Sequence, residues 1–155
     1  MGRDVQAVQA AHAVLVVLCL VGAWLDTRYR RLPNWLSLLA LVSGLVASVV
    51  LTGFGAIGSH LLHSLVILVI GMALFRFGLI GGGDAKFYTG IAAWFSLAQA
   101  PRLLLSISLS GLVLLIAWFV WRRLAGKRVR KGAEAGEDKF PYGVAIAAGA
   151  ILSVL

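Results

Sequence analysis

Long apolar runs alternate with short polar connections along the whole chain, and their spacing is helical in scale: runs of about twenty apolar residues are what a bilayer core of about 30 Å requires. Segments 8–25, 34–53, 57–77 and 102–121 have that length. Segment 85–99 is shorter, follows three glycines and carries Lys86, and segment 141–155 is again short, with Pro141 suited to a first helical turn, where its missing N–H is no loss. The pattern predicts an all-α, polytopic membrane protein with about six transmembrane helices. No internal repeat breaks it. The one polar stretch, about 122–139, combines Gly, Ala and mixed charges and reads as a flexible loop. The chain is expected to form one membrane-embedded domain over 1–155.

Composition agrees with that picture. Of 155 residues, 61% are hydrophobic and the mean hydropathy is +0.96, more apolar surface than a soluble core can bury. The formal charge of +8 does not indicate nucleic acid, because the basic residues stand in blocks between apolar runs, where they act as topology signals. Arg28, Arg30 and Arg31 follow the first run. Arg76 and Lys86 flank the third connection. Arg122, Arg123, Lys127, Arg128, Arg130, Lys131 and Lys139 lie in the polar loop, leaving only Arg3 and Arg102 for the alternate connections. These basic segments are therefore expected in the cytosol, with both termini outside and anionic lipid as a contact. The first run lacks a convincing small-residue cleavage site after residues 22–24 and reads as a retained helix. The single cysteine, Cys19, lies in an apolar run, so an intramolecular disulfide and a thiol-rich metal site are both excluded.

Six acidic residues occur in the chain. Asp4 is near the N-terminus, and Glu134, Glu137 and Asp138 fall in the polar loop, where a charge cluster is ordinarily solvated. Asp26 and Asp84 alone adjoin hydrophobic segments. Ionisable groups there are costly to desolvate and mark either function or a salt bridge. The charge-derived topology puts both on one membrane face, so they can meet. Two close carboxylates share a proton, and the pair then supplies a base for water and an acid for a carbonyl.

Each acid has a plainer reading as well. Asp26 can pair with a nearby arginine at the headgroups, with Pro33 and Asn34 simply ending a loop and starting a helix. Asp84 can cap the helix that follows a flexible glycine turn. On the other side, Gly81, Gly82 and Gly83 allow unusual backbone angles and close approach of a substrate strand.

The two segments together resemble the type IV prepilin peptidase family, the bacterial branch of the Gly-x-Gly-Asp intramembrane aspartic proteases. The first family motif is matched by Asp26, Arg28, Arg30, Arg31, Leu32, Pro33 and Asn34; the second by Gly81, Gly83, Asp84 and Lys86. The late Pro141-Tyr142-Gly143 is similar to the start of the family's last helix. The resemblance implies Asp26 and Asp84 as catalytic residues, with Gly81, Gly82, Gly83, Lys86, Pro33 and Asn34 shaping the site or binding substrate. It implies prepilin or pseudopilin precursors as partners, cleaved between a short basic leader and a hydrophobic helix, at the cytosolic face of the bacterial inner membrane. Larger members also methylate the new N-terminus with an additional cytosolic domain. The 26–34 segment is too short to hold one, so the chain is similar to the compact peptidases of tight-adherence (Flp) pilus systems and methyl transfer is not expected.

Under that reading, one aspartate draws a proton from water while the other polarises the scissile carbonyl, and the sequence leaves open which is which. No metal or other cofactor is implied. His60 and His63, three apart, lack a third ligand and read as packing or interfacial residues. Ser43-Gly44 and Ser110-Gly111 lack the leading glycine of a serine-protease turn. Two rivals belong to other classes: a small ion- or proton-coupled transporter subunit, whose acids would lie nearer the bilayer midplane, and a non-catalytic pilus assembly factor, whose acids would pair with Arg28 or Lys86. Gly78 and Gly82 have small-x-x-x-small spacing, a weak sign of helix packing within a glycine run.

Overall fold

The computed structural model describes residues 2–124 and 142–154. They form six α-helices: α1 (Gly2–Tyr29), α2 (Asn34–Thr52), α3 (Ile57–Arg76), α4 (Gly82–Ala92), α5 (Ala100–Leu124) and α6 (Tyr142–Val154), with single 3-10 turns at Phe54–Ala56 and Leu97–Gln99. No strand occurs among the described residues. The fold is all-α, as the hydrophobic pattern predicts.

Four helices, α1, α2, α3 and α5, are long and apolar enough to cross a membrane. α4, with 11 residues, is about 17 Å long at 1.5 Å per residue, against a hydrocarbon core of about 30 Å; of α6, 13 residues are described. These two helices organise the bundle. α6 packs between α1 and α5, α4 packs between α2 and α3, and α1 touches α2 while α4 touches α6.

Close approach is bought by glycine. A Cβ on Gly90 of α4 would stand 2.5 Å from the Ser37 carbonyl oxygen of α2, one on Gly71 of α3 would stand 3.0 Å from Ala85 Cβ of α4, and one on Gly149 of α6 would overlap the Ile107 backbone of α5. Small residues at helix contacts are what association within lipid requires, because apolar bulk gains nothing there. The distribution of polarity fits the same solvent: Val50, Leu105 and Val113 are exposed, while Ser48, His60, His63 and Ser64 are buried. Cys19 is fully buried and serves packing.

Several sequence expectations are corrected. α4 begins three residues before the predicted 85 and stops at Ala92, short of 99. Its start takes in two glycines of the supposed turn, and its end is fixed by bonds from other helices. His60 and His63 on α3 donate from Nδ1 to the carbonyl oxygens of Ala93 (2.9 Å) and Phe95 (3.0 Å), Trp94 Nε1 donates to Ala40 O of α2 at 2.9 Å, and Leu97 N–H donates to Ser59 Oγ at 3.0 Å. The carbonyls left over at a helix end are thus satisfied by side chains. The predicted loop 122–139 starts later: α5 continues to Leu124, and the rest of the loop, including Lys127, Lys139, Glu134, Glu137 and Asp138, lies outside the described residues, as does Pro141. Gly78 makes no helix contact, having φ 71° and open space around its α-carbon, so the 78/82 spacing is not a packing motif.

Candidate active site

Asp26 stands in the last turn of α1, and Arg30, just past its end, has a positive φ of 53° and a hydrogen bond from its N–H to Asp26 O at 2.9 Å. The chain then turns through Arg31 and Leu32 into α2, with Pro33 (φ −72°, ψ 148°) as N-cap and Asn34 as the first helical residue. Despite its place at a helix end, Asp26 is buried, at 6% exposure. Its carboxylate faces α6, where the N–H groups of Gly143 and Val144 in the first turn hydrogen-bond it. Those groups have no partner within their own helix. Oδ2 is buried without a hydrogen-bond partner among the described residues. The charge of Arg30, one turn on, acts on the same carboxylate. An aspartate that merely met an arginine at the headgroups would point outward, and this one points in.

Asp84 is the third residue of α4. The N-cap is Gly81 (φ −73°, ψ 145°), whose carbonyl accepts from Ala85 N–H at 3.1 Å, so Asp84 is not the cap that sequence alone allows. Its carboxylate folds back over the cap, with Oδ2 2.5 Å from where a Gly81 Cβ would lie. Gly81, Gly82 and Gly83 are needed for closeness, not for unusual angles: the glycines with positive φ are Gly53 and Gly78. A Cβ on Gly82 would meet the Phe75 ring at 3.3 Å, and one on Gly83 would meet Leu32 Cβ and Leu32 O at 3.3 Å.

Leu32 is the wedge that relates the two acids. Its backbone lies against Gly83, next to Asp84. Its Cδ1 lies 2.9 Å from the place of a Gly143 Cβ, and Asp26 Oδ2 is also 2.9 Å from that point. The two segments are joined again by Lys86 Nζ, which donates to Asn34 Oδ1 at 3.0 Å. The end of α1, the turn into α2 and the starts of α4 and α6 thus converge at one end of the bundle. Of the predicted site-shaping residues, Asn34, Lys86 and Gly83 link the segments directly. Pro33 caps α2, and Gly81 and Gly82 hold Asp84 and Phe75.

Two residues were not singled out for the site from sequence. Gly143 seats Asp26, and its signal was only the Pro-Tyr-Gly at the start of the last apolar run. Tyr88, one turn beyond Asp84 on α4, buries its hydroxyl without a partner among the described residues. Its spacing from Asp84 was visible, but not that its hydroxyl turns inward. Among the same residues no group of three or more His, Cys, Asp or Glu side chains is arranged to hold a metal. Ser43 and Ser110 donate to the carbonyls of Leu39 (2.5 Å) and Ser106 (2.7 Å), as helix serines do.

Fold and site together define a multi-pass helical membrane protein with two carboxylates at one end of its bundle. The chain belongs to the type IV leader peptidase family: the family's model matches residues 13–116, a stretch that includes Asp26, Leu32, Asn34 and 81–86 and ends before α6. It is therefore a peptidase. No curated protein and no solved structure matches the chain.

Proposed function

We propose that this protein is an aspartic endopeptidase that removes the short basic leader of type IV, Flp-like prepilins at the cytosolic face of the bacterial inner membrane, with Asp26 and Asp84 as its catalytic residues. The observation that carries the reading is the junction of the two acid-bearing segments, made by the Lys86–Asn34 hydrogen bond and the Leu32–Gly83 contact. A cytosolic site agrees with the basic residues flanking it, Arg28, Arg30, Arg31, Arg76 and Lys86.

In the proposed mechanism the ionised aspartate takes a proton from water as the water oxygen attacks the scissile carbonyl. The protonated partner delivers its proton to the carbonyl oxygen. Collapse of the tetrahedral intermediate breaks the C–N bond, and the leaving amine takes up a proton from the pair. The exposed apolar flanks of α1 and α5 leave room for a substrate helix in the bilayer, with the scissile bond at its end. Purified protein is incubated with a prepilin and the product masses are determined: cleavage after the leader is expected, and Asp26→Asn and Asp84→Asn should each abolish it while the protein stays in the membrane. Full activity of Asp84→Asn would sink the assignment.

A further inference from the structure

A second polar region lies at the far end of the bundle. His12 and Asp26 are fourteen residues apart on α1 and Ser48 and Asn34 fourteen apart on α2, about 21 Å along each axis at 1.5 Å per residue. At that level the helices enclose a cavity of about 350 Å³ lined by His12, Ser48, His60, Gln99, Arg102 and Ser153, among others. A separation of about 21 Å, set against a hydrocarbon core of about 30 Å, leaves the cavity within about 9 Å of the opposite headgroup level if the aspartates sit at the first, and nearer to it if they lie deeper.

Its polar groups divide by hydrogen-bonding sense. Arg102 has no hydrogen bond or ion pair among the described residues, and its guanidinium offers only donors. Gln99 uses its Oε1 to accept from Ser96 N–H (2.9 Å) and Ser96 O–H (3.2 Å), which leaves its amide NH₂ to donate. Three other wall groups, Ser48, Ser153 and His60, are turned the other way. Ser48 spends its proton on Leu45 O and Ser153 on Gly149 O, both at 2.8 Å. With Nδ1 of His60 carrying the proton that it donates to Ala93 O, Nε2 is the ring's acceptor. One part of the cavity is thus built to meet an anion and the other to meet N–H or O–H donors.

We propose that this cavity binds a phospholipid headgroup, its phosphate on Arg102 and Gln99 and its donor-bearing ammonium or hydroxyl on Ser48, Ser153 and His60. Leu51 in the wall is exposed and gives the acyl chains an apolar surface to follow. Guanidinium–phosphate pairing supplies the affinity, and the acceptors supply a preference among headgroups.

The test uses the full-length protein, delipidated in an uncharged maltoside detergent and titrated calorimetrically with short-chain lipids. Phosphatidylethanolamine should bind saturably with one site per chain. Phosphatidylcholine, which keeps the phosphate but has no N–H or O–H donor, should bind about three- to tenfold more weakly, the range of an ordinary hydrogen bond. Arg102→Gln should weaken phosphatidylethanolamine at least about tenfold, as loss of a charge-assisted bond does, while Arg123→Gln at the other end of α5 should not change it. Equal binding of diacylglycerol, an unaffected Arg102→Gln, or no saturable binding at all would overturn the proposal. Soluble glycerophosphoethanolamine binding as tightly as the lipid would overturn it too, by making the site one for a free phosphodiester.

Discussion

Gly143 is the position where the smallest change should have the largest effect on the proposed site. Replacing it by alanine puts a methyl group 2.9 Å from Asp26 Oδ2, 2.9 Å from Leu32 Cδ1 and 3.0 Å from Asp26 Cβ. Carbon atoms rest at about 3.5–4.0 Å, so the two carbon contacts are about half an ångström to one ångström too short. The neighbours have little room to yield. Leu32 is already held against Gly83 on its other side, and Asp26 Cβ is fixed by the backbone of α1. Either α6 moves away, loosening the N–H groups of Gly143 and Val144 from the carboxylate, or the Asp26 side chain turns.

Overpacking of this kind costs about 1–3 kcal/mol of stability. A misplacement of about 1 Å at a reacting group costs about 100-fold in rate, so a shift of half that size is expected to lower kcat/KM of Gly143→Ala by about 10- to 100-fold. The assay is cleavage of a prepilin by purified protein, read by product mass, with thermal unfolding in the same detergent to show that the variant is folded. Gly111→Ala is the control, because its Cβ would meet only Ala145 Cβ, at an ordinary 3.5 Å; both its activity and its melting should be near wild type. A folded Gly143→Ala protein that cleaves at the wild-type rate would refute the seating of Asp26 by α6.

Gly81→Ala should behave differently from Gly143→Ala: the intruding methyl meets only the end of the flexible Asp84 side chain, so melting should change little while cleavage falls at least about tenfold, and an unchanged rate would count against the folded-back Asp84 as the working geometry. A double-mutant cycle on Asn34→Ala and Lys86→Ala should give a coupling of about 0.5–1 kcal/mol in unfolding free energy, the scale of an exposed charged hydrogen bond, and no coupling would separate the two segments. His63→Phe should lower stability by about 2–4 kcal/mol, since it leaves Phe95 O unbonded and puts a larger ring in a fully buried place; a wild-type melting curve would show that the histidine does not hold the end of α4. Tyr88→Phe removes a buried hydroxyl without a partner among the described residues and should leave melting unchanged or raise stability by about 1 kcal/mol; a loss of stability would reveal a partner.

The long helices were legible because bilayer thickness fixes the length of an apolar run, whatever packs against it. The short α4 was legible in place but not in extent. Gly82 and Gly83 look like breakers in sequence, yet they open α4, because what they answer to is Phe75 and Leu32 in other segments. Ala93 to Gln99 reads as more of the same helix, yet the helix stops where His60, His63 and Trp94 take its backbone or cross to α2. The three-residue spacing of the histidines announced a shared face, but nothing local announced the carbonyls they reach. For the same reason Asp26 and Asp84 were legible as the acids beside the membrane, whereas the burial of Asp26 under Gly143 depends on a contact more than a hundred residues away in sequence.

α4 and α6 are the two helices that start at the aspartates. A helix ends with unpaired carbonyls and a partial negative charge, a poor place for a carboxylate, and Asp26 sits in the last turn of α1. A helix begins with unpaired N–H groups and a partial positive charge. α6 brings such a start to Asp26, and α4 carries Asp84 in its own first turn. At the start of α6 the Asp26 carboxylate is sheltered by Leu32 on one side and by the Gly143 and Val144 N–H groups on the other. Engaging the Gly143 and Val144 N–H groups in bonds within an extended α6 therefore should not be neutral: it would take them from Asp26 and leave the buried carboxylate without its backbone donors.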